Sequence, residues 1–395
     1  MLGLMKPSLG PDDVGSTPRN HGFVRLTACT AICVALWVVS AAPFVAAQSS
    51  WQAEWEKTLR AAEVEGQFTL YGCCYDYDRV LEVFRKRYPK IKANIVVAVA
   101  GNSLASRILA ERRGEKYLAD VVSSGANMLH DALYKAQVLE PIKAALMLPE
   151  VLDQTKWYEG EHRYIDPEKR YIFAFVANSL SGQVAYNLKQ AHPGEFKSYG
   201  DLLQPKWKGK MVSLDPSAFG MGATLQFFYY HPDLGPPFIK KLYGDMQITV
   251  SRDPRQMTDW LAAGKFGLCI RCNAGSEVGK AMQQKLPIGY LDAEDWKEGG
   301  VSSAAGGTLG IPTRAPHPNA SKGFVNWLLS REGQLALQKF GRPDAHNSRR
   351  IDIPKDDVDP YNRLEEGKKY FDLARPEYQD LTPIFKLVKE VLPQK

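Results

Sequence analysis

Histidines and recognisable catalytic motifs are both scarce in this sequence. Seven histidines stand apart in 395 residues, none at the spacing of a metal-ligand set, and His21 precedes the first apolar run. There is no Gly-x-Ser-x-Gly elbow, no His-Glu-x-x-His pair and no phosphate-cradling loop ending in Gly-Lys-Ser/Thr. Gly220-Met221-Gly222 lacks the third glycine of a dinucleotide loop. Tyr229-Tyr230-His231 has the composition of a site but reads as a helix end, with Pro232 beyond. A secreted hydrolase is the weakest reading, because no nucleophile–base pair supports it. The chain is not expected to be an enzyme or to need a cofactor. Charge is nearly balanced: 50 basic against 44 acidic residues leave +6. Arg112-Arg113 and Arg349-Arg350 are the basic clusters, and no aromatic platforms interleave with them, so a nucleic-acid partner is not expected.

Long apolar runs are also missing, except at the N-terminus. Arg25 precedes an apolar run from Leu26 to about Ala42, and Val45-Ala46-Ala47 supplies small residues at cleavage spacing. Residues 1–47 therefore read as a secretory signal peptide cut after Ala47, with an uncleaved anchor as the competing reading. No stable membrane insertion is expected after cleavage. Of six cysteines, Cys73, Cys74, Cys269 and Cys272 remain in the mature chain, where an oxidising compartment lets them pair.

The chain is longer than one hydrophobic core usually organises, so two lobes are expected. Trp51, Trp55, Leu59 and Ala62 recur at helical spacing up to Gly66. Short apolar strands follow at 68–72, 95–99 and 120–123, alternating with helices at 76–88, 103–113 and 127–137. A second series has strands at 171–177, 211–214, 266–270 and 308–311, with helices at 215–230 and 256–263 between them. This alternation predicts α/β lobes with doubly wound parallel sheets. Phe324, Trp327 and Leu328 belong to a helix expected to pack back on the first lobe.

In open α/β sheets ligands bind beyond the carboxyl ends of the strands. Those ends carry Cys73 and Tyr75, Asn102, and Ser124-Gly125-Ala126 in the first series. In the second they carry Ser217-Ala218-Phe219 and Arg271. Loops opening helices offer free N–H groups to an anion, and an arginine can grip a carboxylate or phosphate through two parallel bonds. These ten residues are the candidate ligand-binding set; Ser124, Asn127 and Ser217 read equally well as helix caps. Cys73-Cys74 and Cys269-x-x-Cys272 lie at strand ends too. They read as structural disulfides, as a soft-metal thiolate site or as a redox pair. The last two define the alternative function, an exported metal-handling or thiol-redox protein.

The chain resembles the periplasmic solute-binding proteins of ABC transporters, with the type II fold, near their iron(III)-transporter-like branch. The resemblance rests on Ala105-Ser106-Arg107-Ile108-Leu109-Ala110-Glu111-Arg112, on Tyr117-Leu118-Ala119-Asp120-Val121 and on Asp201-Leu202-Leu203 with Pro205-Lys206-Trp207-Lys208-Gly209-Lys210. It extends through Ala315-Pro316-His317-Pro318-Asn319-Ala320 and 324–334. It implies two lobes joined by hinge strands near Ala177 and Thr308: lobe 1 from 48–176 and 308–395, lobe 2 from 177–307. It also implies a small-molecule ligand in an interlobe cleft, a permease partner, a monomer and a periplasmic location. Iron-binding relatives place adjacent tyrosines after the strand that ends at Ile270, whereas this chain has Arg271-Cys272. The expected ligand is therefore a small anion and not ferric iron.

Overall fold

The computed structural model describes residues 50–98, 101–218, 220–272, 277–341 and 346–392, without the side chains of Asn102 and Ser181. The proposed signal segment and Phe219 lie outside the described residues. The chain divides at Gln52; residues 50–52 are helical, and the unit from Ala53 onward is described below.

Residues 53–65 are helical, with Ala62 buried and Trp55 and Leu59 half-buried. Gly66 stops the helix at φ +71°, where a side chain would be strained. The first lobe then builds strands β1 (Gln67–Gly72), β2 (Lys92–Val97), β3 (Val121–Ser124), β4 (Leu139–Glu140), β5 (Arg163–Tyr164) and β6 (Phe173–Ala174). Helices Tyr77–Arg87 and Gly101–Arg113 connect the first three, which run parallel in the order β2-β1-β3. The chain crosses through β7 (Asn178–Ser179) into β8 (Val184–Asn187), β9 (Met211–Leu214), β10 (Thr249–Ser251), β11 (Leu268–Ile270) and β12 (Ile288–Leu291). It returns through β13 (Gly300–Ser303) and β14 (Thr308–Pro312), and β15 (Tyr370–Asp372) comes last.

Neither sheet is purely parallel. In the first, β14 lies antiparallel between β3 and β6; in the second, β10, β9 and β11 are parallel while β8 is antiparallel to β11 and β12. Two of the exceptions share a cause, while β5, antiparallel to β6, simply turns back within the first lobe. Strands β8 and β14 enter their sheets straight from the crossings, at the edge where the parallel strands end, so they must run the other way. At the crossing β7 and β13 pair antiparallel, Ser302 with Ser179, and β15 extends this small third sheet. The return crossing is tight: a Cβ on Gly306 would sit 2.5 Å from Cys74 Cβ, and one on Gly307 2.3 Å from Val176 Cγ2.

Two cores follow. Phe68, Phe84, Phe324 and Trp327 form an aromatic group in the first lobe, Phe68 stacking on Phe324 at 4.6 Å. The second core joins Val184–Val301 residues to Leu373, Leu381, Ile384, Leu387 and Val388. The C-terminal segment was expected in lobe 1, within 308–395; it instead crosses a third time and packs in the second lobe. The apolar stripe of helix Thr382–Val391 finds its partner there, against the helices at Gly222–Tyr230 and Gly235–Lys240.

The motifs behind the resemblance turn out to build the fold. Asp120, fully buried, accepts bonds from Thr69 N (2.8 Å), His317 N (2.7 Å) and His317 Nδ1 (2.9 Å). Asp201 and Ser198 form a capping box, and buried Trp207 stacks on Phe196.

Candidate ligand-binding site

At the end of β1 the chain turns through Cys74, whose φ is +75°. Cys73 Sγ lies 3.0 Å from Ser124 Oγ, Cys73 N donates to Ser123 O, and Thr308 Oγ1 donates to Ser124 O at 2.7 Å. Both Cys73 and Ser124 are fully buried, so these two predicted contacts form the floor beneath the edge. Tyr75 also points inward: it packs against Tyr77, Phe175 and His346, and its hydroxyl lies 3.2 Å from His346 Nδ1. Burial lowers the pKa of that histidine to about 3, so its ring is neutral. Gly125 and Ala126 stay half-buried, with a Cβ position on Gly125 3.7 Å from Ala305 O. Asn102 sits in the first turn of helix Gly101–Arg113.

In the second lobe three parallel strands end side by side, so the segments after β10, β9 and β11 form one row. After β9, Asp215 accepts from Ser217 N (2.8 Å), Ser217 Oγ (2.7 Å) and Arg252 Nε (2.9 Å). Burial opposes its charge, but the bonds from Ser217 and Arg252 outweigh it and hold the carboxyl below its usual pKa. Ser217 is exposed and its hydroxyl is committed to this network, also accepting from Arg252 Nη2 at 3.0 Å. Ala218 is half-buried beside it. After β11 comes Arg271, at φ +62°. Its backbone N donates to Gln183 O at 2.7 Å and its Nε to Gly220 O at 3.0 Å. Cys74, Arg271 and Ala305 along these edges have left-handed backbone, as do seven other non-glycine residues among those described.

The two edges meet. Asn127 Nδ2 lies 3.1 Å from the position a Cβ would occupy on Gly222, the first residue of helix Gly222–Tyr230. Asn127 begins its own helix without a side-chain cap bond, so the capping alternative does not hold. Its Oδ1 is buried without a hydrogen-bond partner, a costly arrangement at an interlobe junction. The structure thus gathers Gly125, Ala126, Asn127, Gly220, Gly222 and Arg271, and leaves Cys73, Tyr75 and Ser124 behind them. Sequence reasoning missed Arg252 because β10 is a three-residue edge strand with no apolar run to announce it.

Cys269 and Cys272, both buried, form a disulfide, while Cys73 and Cys74 remain thiols. That removes two sulfurs from any thiolate set and buries the Cys-x-x-Cys pair away from exchange partners. Among the described residues no three His, Cys, Asp or Glu side chains gather to hold a metal. The metal-handling or redox alternative is not supported. Among the described residues no helix is long and apolar enough to cross a membrane.

Several solved structures share this architecture. Iron-bound HitA from Pseudomonas aeruginosa is 18% identical, with a TM-score of 0.59, over 82% of this chain and 99% of that one. FutA (IdiA) from Trichodesmium, in complex with iron and citrate, is 19% identical at a TM-score of 0.63, over 82% and 99%. AfuA from Actinobacillus pleuropneumoniae, with exogenous fructose-6-phosphate bound, is 18% identical at 0.56, over 82% and 97%. At these identities the likeness carries the fold alone. Comparison with curated proteins finds no match. The model of the bacterial extracellular solute-binding proteins matches residues 79–343, a span holding the whole second sheet and the first two crossings, and the chain belongs to that family.

Proposed function

We propose that this solute-binding protein captures a small anion where its two strand-end edges meet, with Arg271 as the charge partner, and delivers it to an ABC importer. In this reading the chain is exported, cleaved after Ala47, and works in the periplasm as a monomer. The observation that carries the reading is Arg271 itself. A guanidinium stands at the end of β11, aimed by its bond to Gly220 O beside the junction of Gly222 with Asn127. A cation would be repelled there, whereas a carboxylate or phosphate gains a fixed, charge-assisted partner. The N-terminus of helix Gly222–Tyr230 adds a positive dipole end at the same junction. Among the structural neighbours, one is iron-bound, one holds iron with citrate and one holds fructose-6-phosphate, so two of them accommodate an anion. Closure would turn on the crossings at 177–180 and 303–308 and on the third crossing that leads into β15, where a few residues change backbone angles.

The test is a thermal-shift and calorimetric panel on the chain from Gln48 onward, using citrate, inorganic phosphate, a phosphonate, a sulfonate and ferric ion. At a hundred times its dissociation constant, a binding anion stabilises the fold by about 2.7 kcal/mol. Arg271→Ala is expected to weaken that anion by roughly 10- to 150-fold, the range for a hydrogen bond to a charged group. Tight binding of ferric ion without any added anion, or anion binding indifferent to Arg271→Ala, refutes the proposal.

A further inference from the structure

Cys269, Ile270, Arg271 and Cys272 form a four-residue turn whose end Cα atoms are 5.8 Å apart. Ile270 continues β11, and Arg271, in the third position, has φ +62°. A negative φ in the second position and a positive one in the third is the sign pattern of a type II turn, whose third position ordinarily calls for glycine or asparagine. Arginine there carries a steric penalty that glycine avoids. Two restraints hold the turn against that penalty. The disulfide ties its first residue to its last, and Arg271 N donates to Gln183 O at 2.7 Å. Gln183 is itself buried, with Nε2 donating to Tyr199 OH at 3.2 Å. The side chain that emerges is aimed once more, by Nε donating to Gly220 O at 3.0 Å.

We infer that the Cys269–Cys272 disulfide is a positioning device for the ligand's arginine: it holds Arg271 in the left-handed backbone state that points its guanidinium at the site. Cys269 and Cys272 are positioning residues, and neither has surface with which to touch a ligand. The position calls for glycine on backbone grounds and carries arginine instead, so the side chain is what the turn presents, and the bridge offsets the strain. The inference rests on Arg271 being the anion's charge partner, but its geometric half is measurable without any ligand.

The experiment compares the wild-type chain with Cys269→Ala/Cys272→Ala, with Arg271→Ala, and with the triple variant. The first readout is hydrogen exchange at Arg271 Nε–H, followed by NMR and assigned from its loss in Arg271→Ala. Opening the bridge is expected to speed that exchange about tenfold, the scale of the left-handed penalty, while amides of β9 and β8 keep their protection. Unchanged Nε–H exchange in a folded double variant overturns the inference whatever the ligand does. The second readout is the affinity for citrate and inorganic phosphate. Opening the bridge is expected to weaken whichever binds about tenfold when Arg271 is present and not at all in the Arg271→Ala background. Equal weakening in both backgrounds means that the bridge only supports the fold, and overturns the inference. Anion binding that ignores Arg271→Ala, with Nε–H exchange still dependent on the bridge, sinks the anion reading and leaves the positioning intact.

Discussion

Replacing Asp372 with asparagine isolates the buried charge that holds the third sheet to the first lobe. Asp372 is 2% exposed and accepts both oxygens' worth of bonds from Arg349 Nη2, at 2.9 and 2.8 Å. Arg163 Nε lies 3.0 Å away, and Ala374 N donates to Oδ1 at 2.9 Å. Asp372→Asn keeps the shape and the bond from Ala374 but removes the charge. Arg163 retains Glu159 at 2.6 Å and Glu161 at 2.5 Å, so it is still neutralised. Arg349 has no such reserve: its side chain is 0% exposed, its Nε donates to Val176 O, and its Nη1 is buried without a hydrogen-bond partner. Leaving that guanidinium buried and unpaired costs about 3–5 kcal/mol. With m on the order of 3 kcal/mol/M in urea, the midpoint should fall by about 1–2 M at pH 7, read by tryptophan fluorescence. The paired control, Asp372→Leu with Arg349→Met, removes both charges and should cost far less than the single change. Burial disfavours the ionised Asp372 carboxyl, yet Arg349 and then Arg163 outweigh it and set its pKa below the usual range. A depressed folded pKa gives stability that is complete above the ordinary carboxylate value, about 3.9, and is lost as pH falls through the folded one. The wild type should therefore lose stability below about pH 4 more steeply than Asp372→Asn. A single variant within about 1 kcal/mol of wild type, or a double variant as damaged as the single, would refute the reasoning.

Three further outcomes follow from the packing and the charges. Phe84→Ala should cost about 3–5 kcal/mol in urea unfolding, because Phe84 is fully buried against Phe68, Phe324 and Trp327; a loss under about 1 kcal/mol would show that the group repacks. Burial lowers the pKa of Lys355 to about 7, with Asp352 opposing. Folding then favours the neutral amine, so stability rises from about pH 7 toward pH 10, and Lys355→Met should flatten that rise in pH-dependent melts; identical slopes would exclude it. A branched side chain at Gly222 would meet Asn127 Nδ2, 3.1 Å from the Cβ position, and hold the two edges apart. Gly222→Val should weaken whichever panel anion binds about tenfold if closure becomes tenfold rarer, with the urea midpoint nearly unchanged; full-strength binding would place the ligand elsewhere.

The strand ends were legible because a strand's end is a local event. Apolar runs at 68–72, 120–123 and 266–270 give way to glycine, serine and arginine within one or two residues, and the structure ends β1, β3 and β11 there. The antiparallel strands were not legible as such, since β8 and β14 differ from parallel strands only in the direction from which the chain arrives. Tyr75 read as a site residue from its place beside Cys74, but only His346, 271 positions later, shows that its hydroxyl is turned inward.

The sequence by itself determined the two-lobed α/β plan, the family, and the place of Arg271 directly after an apolar strand. These depend on periodicity and on neighbours a few residues apart, which any stretch of chain carries with it. Only the tertiary structure decided that Cys269 pairs with Cys272, that Cys73 and Ser124 lie beneath the edge, and that the last helix belongs with the second lobe. The bridge joins residues three apart, but which cysteines pair depends on where the others are held; the other two are questions of which distant surface a group is buried against. Burial is settled by contacts between residues far apart in the chain, and local spacing holds no record of them.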